Sequence, residues 1–302
     1  MTSLSTPSFE VFSGCLLGLA LGDALGAPFE GMPPGNYSID CMDGILSYTD
    51  DTEMMINLLR AIIDFEDVET SLVAKYFAEG LNPERGYGPG TLRVLALVRQ
   101  GIPVDRAVRS VFPEGSYGNG AAMRVAPLGL LYFGDEERLE EAVIRASKAT
   151  HVHPVAIDGA RVVALAVSYV MRGYELSELP EYLVSKVDTD IFADKLEKVN
   201  FALKHSVTKE WVIQNLGTGV AASESVPTAI YAFLGFGRDF ERMINFCIGL
   251  GGDTDTISAM AGALSGTMLS EKGLPENCLK RLEHYQQIKE IGKRLYERLF
   301  NF

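Results

Sequence analysis

Glycine spacing near the start of the chain is the feature that most restricts its fold. Four glycines recur at every fourth position of an apolar stretch: Gly14, Gly18, Gly22 and Gly26. In a helix, residues four apart lie on one face, and each glycine costs roughly 1 kcal/mol relative to alanine. A ridge of this kind indicates a helix face that another backbone approaches closely. Gly262 and Gly266 repeat the spacing, and we hypothesise that the two helices pack together.

Apolar residues in most of the chain are spaced as in amphipathic helices, and strand-like alternation is scarce. The clearest stripe lies near the C-terminal end: Leu282, Tyr285, Ile288, Ile291, Leu295 and Leu299. Further helices are predicted at 52–66, 69–79, 119–133, 135–149, 155–169, 189–205, 223–235, 239–249 and 254–269. We therefore predict an all-α fold of a dozen or more helices, in a single compact domain that covers residues 1–302.

The charge of the chain is strongly negative and unevenly spread. The 302 residues hold 27 basic and 40 acidic side chains, a net charge of −13. This balance argues against a nucleic-acid backbone or an anionic membrane surface as a partner. No Lys, Arg or His precedes Arg60, whereas eight acidic residues do. Such an excess is either a solvated face or a group of carboxylates that binds a cation.

Cysteine usage and the first apolar run bear on the compartment of the protein. Cys15, Cys41, Cys247 and Cys278 are scattered without CxxC spacing. That pattern predicts neither a disulfide framework nor a zinc site, and it fits a reducing compartment. The apolar run 12–21 lacks the positively charged region of a signal peptide and is too short to cross a membrane. We therefore expect a cytoplasmic protein.

Two clusters of oxygen-bearing side chains stand directly before predicted helices. The first is Thr49-Asp50-Asp51-Thr52-Glu53, and the second is Gly251-Gly252-Asp253-Thr254-Asp255-Thr256. Asp and Thr are favoured helix N-caps, so capping accounts for either cluster alone. Neighbouring carboxylates repel each other, however, and two such clusters exceed what caps need. Carboxylate and hydroxyl oxygens suit Mg²⁺, Ca²⁺ or Mn²⁺, so two converging helix starts would form a site for one or two such ions.

Two glycine-rich turns could hold a phosphate group. They read GYGPG at 86–90 and GSYGNG at 115–120. Glycines let backbone N–H groups approach an anion, although ordinary turns have the same composition. Phe112 and Tyr117 would either stack on a base or belong to the core. The chain has no GxxxxGK[ST] motif, and its helical pattern argues against a Rossmann domain.

Three side chains near these motifs are candidates for ligand contact. His151 and His153 precede a predicted helix. Two such histidines could bind a transition metal, but no third ligand is evident, so capping, hydrogen bonding or ligand contact by His151 is the better interpretation. Glu30 lies in a loop flanked by Pro and Gly. A loop carboxylate is usually solvated, but beside a metal site Glu30 becomes a candidate acid or base.

Three of these motifs together resemble the signatures of the ADP-ribosylglycohydrolase family. They are GDALG at 22–26, YTDDT at 48–52 and GGDTDT at 251–256. The resemblance covers about residues 10–300 and implies an all-α fold with a binuclear Mg²⁺ centre. Stretches at 85–88, 115–126 and 224–231 further resemble the branch of that family that releases ADP-ribose from serine and degrades poly(ADP-ribose) and O-acetyl-ADP-ribose.

The resemblance implies roles for individual residues. The metal ligands would be Thr49, Asp50, Asp51, Asp253, Asp255 and Thr256. Glu30, on a mobile loop over the scissile bond, and Asp253 would be catalytic. The substrate would contact Gly86, Phe112, Gly115, Ser116, Tyr117, Gly118, Asn119, His151 and Val220. Two departures from the family pattern bear on this set: the loop before Gly115 is one residue shorter, which concerns Phe112, and Ala121 replaces a usual glycine.

The implied reaction is hydrolysis of the anomeric C1'' bond of ADP-ribose conjugates, through an oxocarbenium-like transition state. Two Mg²⁺ ions, or Mn²⁺, would orient the ribose hydroxyls and a water molecule. The partners would be ADP-ribose-modified proteins or small ADP-ribose conjugates, with no direct nucleic acid and no membrane, and we expect a monomer. Three alternatives stay open: an ADP-ribosyl-arginine hydrolase of the same fold, a non-catalytic ADP-ribose-binding or structural relative, and a Ca²⁺-stabilised helical protein without a substrate.

Overall fold

Helices make up most of the chain that the structure describes. The computed structural model describes residues 7–41, 43–65 and 67–300. Its α-helices are α1 (Phe9–Gly26), α2 (Asp50–Phe65), α3 (Thr70–Glu79), α4 (Pro89–Arg99), α5 (Val104–Val111), α6 (Ala126–Leu131), α7 (Glu136–Lys148), α8 (Pro154–Met171), α9 (Leu179–Val184), α10 (Asp190–His205), α11 (Lys209–Asn215), α12 (Ala222–Phe236), α13 (Phe240–Leu250), α14 (Thr254–Leu269), α15 (Glu276–Leu279) and α16 (Tyr285–Phe300). Short 3-10 helices occupy Ala27–Phe29, Pro83–Arg85, Asn119–Arg124, Leu176–Glu178 and Glu271–Gly273.

The prediction of an all-α fold is confirmed. The described residues form no strand, only two isolated β-bridges, Leu46 with Leu282 and Gly118 with Ala221. Every segment predicted to be helical is present among the described residues, with Glu66 at the end of 52–66 lying outside them, but 119–133 differs in kind. It begins as a 3-10 helix, and the α-helix α6 starts only at Ala126. The helices α4, α5, α9, α11 and α15 were not predicted, and each has eleven residues or fewer.

The glycine ridge of α1 packs on α14, as we hypothesised, and the two helices run antiparallel. Every residue of α1 from Phe12 onward is buried, as is α14 up to Thr267. A Cβ atom on Gly18 would overlap the carbonyl oxygen of Gly262, and one on Gly266 would overlap that of Gly14. Only glycine therefore lets the two backbones come this close. The antiparallel arrangement places the loop that follows α1 beside the start of α14.

The remaining helices surround this central pair. The helices α8, α12 and α13 pack on α14, whereas α2 and α16 pack on α1. Their apolar side chains merge into one large core, and a small satellite of Val94, Ala107 and Val108 lies between α4 and α5. The N-terminal ends of α2 and α14, where the two oxygen-rich clusters lie, are thus attached to the central pair of helices.

Within the described residues, two helical segments are long and apolar enough to cross a membrane, judged by length and composition alone. They are Phe9–Phe29 and Pro154–Met171. The first corrects the prediction that the apolar run near the N-terminus is too short for this. Most of each apolar window, 83% and 72%, is buried inside the fold. Packing against neighbouring helices therefore accounts for the apolar composition of both segments.

Cys41 and Cys278 form a disulfide across 237 positions of sequence. The prediction of no disulfide framework therefore needs correction for this pair, whereas Cys15 and Cys247 are free and buried. The bond ties the segment between α1 and α2 to α15. Spacing in the sequence could not indicate it, because the two cysteines meet only in the folded chain. The cytoplasmic location stays a prediction.

Candidate active site

The two oxygen-rich clusters meet where α2 and α14 begin. Oδ2 of Asp51 accepts hydrogen bonds from the hydroxyls of Thr49 and Thr256, each at 3.3 Å. Oδ1 of Asp51 is buried and has no hydrogen-bond partner among the described residues. A buried carboxylate oxygen without a donor is costly unless an ion or a water molecule satisfies it. The donor set and this orphaned atom together fit a divalent cation.

The loop after α1 brings a further carboxylate to the same place. The amide of Gly31 donates a hydrogen bond of 2.8 Å to the carbonyl of Gly252, so the loop is fixed to the backbone that leads into α14. Glu30 is thereby placed next to Asp253 and Asp255. One carboxylate oxygen of each of these three residues lies within 4.8 Å of the other two. Such a spacing allows the three oxygens to share one ion.

Burial and mutual repulsion raise the pKa values of these carboxyls. The pKa of Asp50 rises to about 8, first because the group is buried and then because Asp23 lies near. The pKa of Asp255 rises to about 9, again by burial first and by Asp253 second. The pKa of Glu30 is raised by the same causes. Burial and the neighbouring carboxylates make the charged form of each carboxyl unfavourable. A divalent cation bound among them would relieve the repulsion between the carboxylates.

Helix capping does not explain the second cluster. Asp253 precedes the first turn of α14, but its side chain caps no N–H group of that helix. Instead it accepts a hydrogen bond from Nδ2 of Asn119, which also donates to Oγ of Ser225 at 2.9 Å. The capping interpretation is therefore wrong for Asp253, whose carboxylate belongs to the cluster and to the second glycine turn.

The cap of α2 comes largely from another helix. Thr49 accepts only a long hydrogen bond of 3.4 Å from the amide of Asp51. The buried carboxylate of Asp23, in α1, accepts hydrogen bonds from the amide and the hydroxyl of both Thr49 and Thr52, at 2.6–3.1 Å. Asp23 thus fixes the start of α2, and with it the first cluster, to the central helix pair.

The first glycine turn is held on both sides of Gly86. Before it, Arg85 makes a two-point ion pair with Glu283, with both N–O distances at 2.7 Å. After it, the Tyr87 hydroxyl donates to Glu53 at 2.8 Å. Glu53 therefore supports the turn and not the start of its own helix. Gly86 itself has a φ of +87°, in the left-handed region that favours glycine.

The second glycine turn pairs with the segment before α12. The amide of Asn119 donates to the carbonyl of Val220 at 2.9 Å, and the amide of Ala222 donates to that of Tyr117 at 3.0 Å. Within the turn, Oγ of Ser116 accepts a hydrogen bond of 3.2 Å from the amide of Gly118. The turn is therefore shaped by backbone contacts before any ligand binds.

These parts enclose a cleft of about 350 Å³, a size typical of small-molecule sites. Its lining includes most of the predicted site residues: Glu30, Asp50, Asp51, Gly86, Phe112, Ser116, Gly118, Asn119, His151, Val220, Asp253, Asp255 and Thr256. Thr49, Gly115 and Tyr117 lie outside the lining, and the Tyr117 side chain is 60% exposed with its ring against His153. The lining also includes residues that we had not predicted as site residues: Gly88, Pro89, Gly90, Thr91, Gly120 and Met123.

Comparison with known proteins agrees with the motifs. The family described as ADP-ribosylglycohydrolase matches residues 5–301. The chain belongs to the ADP-ribosylglycohydrolase family. A relative from Gallus gallus, named ADP-ribosylhydrolase ARH3, is 35% identical over 98% of this chain and 95% of its own length. The protein of that name from Homo sapiens is 32% identical, covering 96% and 93%.

Two further relatives extend the comparison. An uncharacterized protein of Archaeoglobus fulgidus is 31% identical over 95% of this chain and 96% of its own length. A solved structure described as an ADP-ribosylglycohydrolase-related protein complex has a TM-score of 0.77 at 24% identity, covering 96% of this chain and 98% of that chain. That likeness shows the fold. Membership of the ADP-ribosylglycohydrolase family identifies the protein as a hydrolase and confirms the resemblance drawn from the motifs.

The sequence did not predict the residues that support the carboxylate clusters and the glycine turns of this site. Asp23 stands in a motif that carried the resemblance, yet its role as a cap for α2 was not predicted. One signal was available: a single carboxylate in an otherwise apolar, glycine-ridged helix needs buried partners. Arg124 gave no comparable signal, because it ends an ordinary 3-10 helix and two of its partners, Ala146 and Thr150, lie beyond that helix.

Proposed function

We propose that this protein hydrolyses the anomeric C1'' bond of O-linked ADP-ribose conjugates: ADP-ribosyl-serine, poly(ADP-ribose) or O-acetyl-ADP-ribose. The observation that carries the proposal is the convergence of carboxylates from three separate segments with two glycine turns in one cleft. Relatives named ADP-ribosylhydrolase ARH3 support action on ADP-ribose conjugates, and the O-linked class is what the resemblance of stretches 85–88, 115–126 and 224–231 implies. ADP-ribose-modified proteins or small conjugates would be the partners.

Two Mg²⁺ ions are the cofactor of this proposal, with Mn²⁺ as a substitute. The oxygen ligands would be Thr49, Asp50, Asp51, Asp253, Asp255 and Thr256. The orphaned Oδ1 of Asp51 and the raised pKa values of Asp50 and Asp255 support such a site. Ions of this kind, when bound, polarise substrate oxygens and lower the pKa of a coordinated water molecule.

The rest of the cleft suits the nucleotide part of the substrate. The turn around Ser116 and Gly118 would offer backbone N–H groups to the diphosphate. Phe112 lines the cleft and packs on the backbone of Gly90, where a Cβ atom would overlap its ring. A base could therefore stack on the open face of Phe112.

Glu30 would exchange a proton with an oxygen at the reacting bond. It is exposed, it lines the cleft and it lies beside Asp253 and Asp255. Burial of part of the side chain and the neighbouring charges raise its pKa, which brings the group closer to the working range of an acid–base catalyst. Such a group typically contributes a factor of about a hundred or more to the rate.

The test is a release assay with serine-linked, arginine-linked and polymeric ADP-ribose, with Mg²⁺ and with EDTA. We expect Mg²⁺-dependent release from the serine-linked and polymeric substrates. Glu30→Gln and Asp255→Asn should each lower the rate at least about a hundredfold, whereas the exposed Glu241→Gln control should not. Release from the arginine-linked substrate but from neither of the other two would show that the protein is an ADP-ribosyl-arginine hydrolase. Binding of ADP-ribose without any release would show a non-catalytic relative.

A further inference from the structure

A buried arginine lies beneath the second glycine turn and bonds only to neutral groups there. Arg124 is fully buried. Its Nη1 donates to the carbonyl of Gly120 at 2.6 Å, and its Nη2 donates to the carbonyl of Ala146 at 3.1 Å and to Oγ1 of Thr150 at 2.9 Å. Burial lowers the pKa of Arg124 to about 9, so the side chain is still a cation at neutral pH. Its charge therefore acts on the turn above it.

Thr150 connects this cation to His151. Thr150 is 2% exposed, and its Oγ1 lies 2.7 Å from Nδ1 of His151. A guanidinium can only donate hydrogen bonds, so Arg124 leaves the hydroxyl hydrogen of Thr150 available. Within the described residues, Nδ1 of His151 is the partner placed to accept that hydrogen. Nδ1 then carries no hydrogen of its own, and a neutral ring must carry it on Nε2.

Nε2 of His151 lies at the glycine turn. A Cβ atom on Gly120 would be 3.2 Å from Nε2, and one on Gly118 would be 3.6 Å from it. The ring lines the cleft, and in the part of the chain that the structure describes Nε2 forms no hydrogen bond. Burial, followed by the charge of Arg124, lowers the pKa of His151 to about 3. The imidazole is thus neutral at neutral pH.

We propose that Arg124 and Thr150 are positioning residues that hold His151 as the neutral Nε2–H tautomer, so that the ring donates a hydrogen bond to an oxygen of the ligand's diphosphate group. Phosphate oxygens only accept hydrogen bonds, so the opposite tautomer would present a lone pair to them and repel them. The unpaired charge of Arg124 adds a local positive field in an otherwise acidic chain. This inference rests on the proposed function, because the diphosphate group belongs to the ADP-ribose part of the proposed substrate.

The first test is spectroscopic and needs no ligand. Long-range ¹H–¹⁵N spectra of the ¹⁵N-labelled protein report which ring nitrogen carries hydrogen. The chain has four histidines, and a His151→Gln variant assigns the signals of His151. We expect a protonated Nε2 and an unprotonated Nδ1 at neutral pH. A ring that carries hydrogen on Nδ1, alone or together with Nε2, overturns the proposal whatever the protein hydrolyses.

The second test compares Thr150→Val, which keeps the shape of the side chain but loses the hydroxyl, with Thr150→Ser, which keeps the hydroxyl. Calorimetry with ADP-ribose should show a roughly tenfold higher Kd for Thr150→Val, together with a mixture of His151 tautomers. Thr150→Ser should keep the wild-type Kd and the wild-type tautomer of His151. An unchanged Kd and tautomer in Thr150→Val overturns the proposal. If the wild-type protein binds no ADP-ribose, the proposed function is wrong. The tautomer of His151 is then still determined by the ligand-free spectra of the wild-type protein.

Discussion

At the scale of single residues, Asp23 determines where the first carboxylate cluster lies. Its carboxylate accepts hydrogen bonds from four donors at the start of α2. In an Asp23→Asn variant, an NH₂ group would face some of these donors, and the negative charge that attracts them would be lost. We expect the free energy of unfolding to fall by about 3 kcal/mol and Mg²⁺ affinity to fall with it.

Urea denaturation and Mg²⁺ titration of that variant measure the two effects. Asp105→Asn is the matched control, because Asp105 is exposed on α5 and should change neither quantity. An Asp23→Asn protein with wild-type stability and wild-type Mg²⁺ affinity would show that the four hydrogen bonds do not hold the cluster.

The sequence predicts the residues that face the ligand better than those that support them. Asp51 and Asp255 stand in motifs whose composition already indicates a cation. Asp23 and Arg124 act through partners that are distant in the chain: Thr49 for Asp23, and Ala146 and Thr150 for Arg124. Only the folded chain brings these pairs together, so neither composition nor spacing could assign their roles.

At the scale of helices, the glycine ridge shows how far a local pattern reaches. The four-residue spacing predicted a close contact, and the repeat at Gly262 and Gly266 pointed to the partner helix. The antiparallel direction was not predicted, because a ridge on one face is compatible with either direction. That direction places the Glu30 loop beside α14 and so completes the site. The 3-10 geometry of Asn119–Arg124 was also missed, because apolar spacing over so short a segment fits both helix types.

A Gly18→Ala variant tests the packing of α1 on α14. Alanine normally stabilises a helix relative to glycine, but at Gly18 the new methyl group would overlap the carbonyl oxygen of Gly262. We expect the overlap to dominate and to lower the free energy of unfolding by about 2 kcal/mol or more. Gly235→Ala, in α12, is the opposite control, because nothing lies within 4 Å of its Cβ position. It should raise stability by up to about 1 kcal/mol. Stabilisation by both substitutions, measured in urea, would contradict close packing of the two helices.

At the scale of the whole molecule, the disulfide joins segments 237 positions apart. A crosslink that closes so long a loop restricts the unfolded chain, and its loss typically costs about 2–5 kcal/mol. Urea denaturation of the wild-type protein should therefore shift to lower urea when a reductant is added. Cys41→Ser should be less stable from the start and should not respond to the reductant. A wild-type protein that is equally stable with and without reductant would contradict a structural role for the bond.

The two oxygen-rich clusters should make the stability of the whole molecule depend on both pH and metal. Asp50 and Asp255 have pKa values of about 8 and about 9 in the folded, metal-free protein, against about 3.9 when unfolded. At pH values between the unfolded and the folded pKa, the folded state binds more protons than the unfolded state. The stability of the folded state therefore falls as pH rises through this range. The contribution is complete below about pH 4 and is lost as pH rises through 8 to 9.

Mg²⁺ should reverse this loss, because it replaces the protons as the counter-charge of the cluster. We therefore expect the difference in Tm between Mg²⁺ and EDTA to widen from pH 6 to pH 9. General self-repulsion of a chain with net charge −13 also grows with pH, so a control must separate the two causes. The double variant Asp50→Asn, Asp255→Asn keeps most of the charge but lacks the two groups, and its Tm in EDTA should fall less steeply. Equal Mg²⁺ effects at pH 6 and pH 9 in the wild-type protein would show that the cluster does not couple metal binding to proton release.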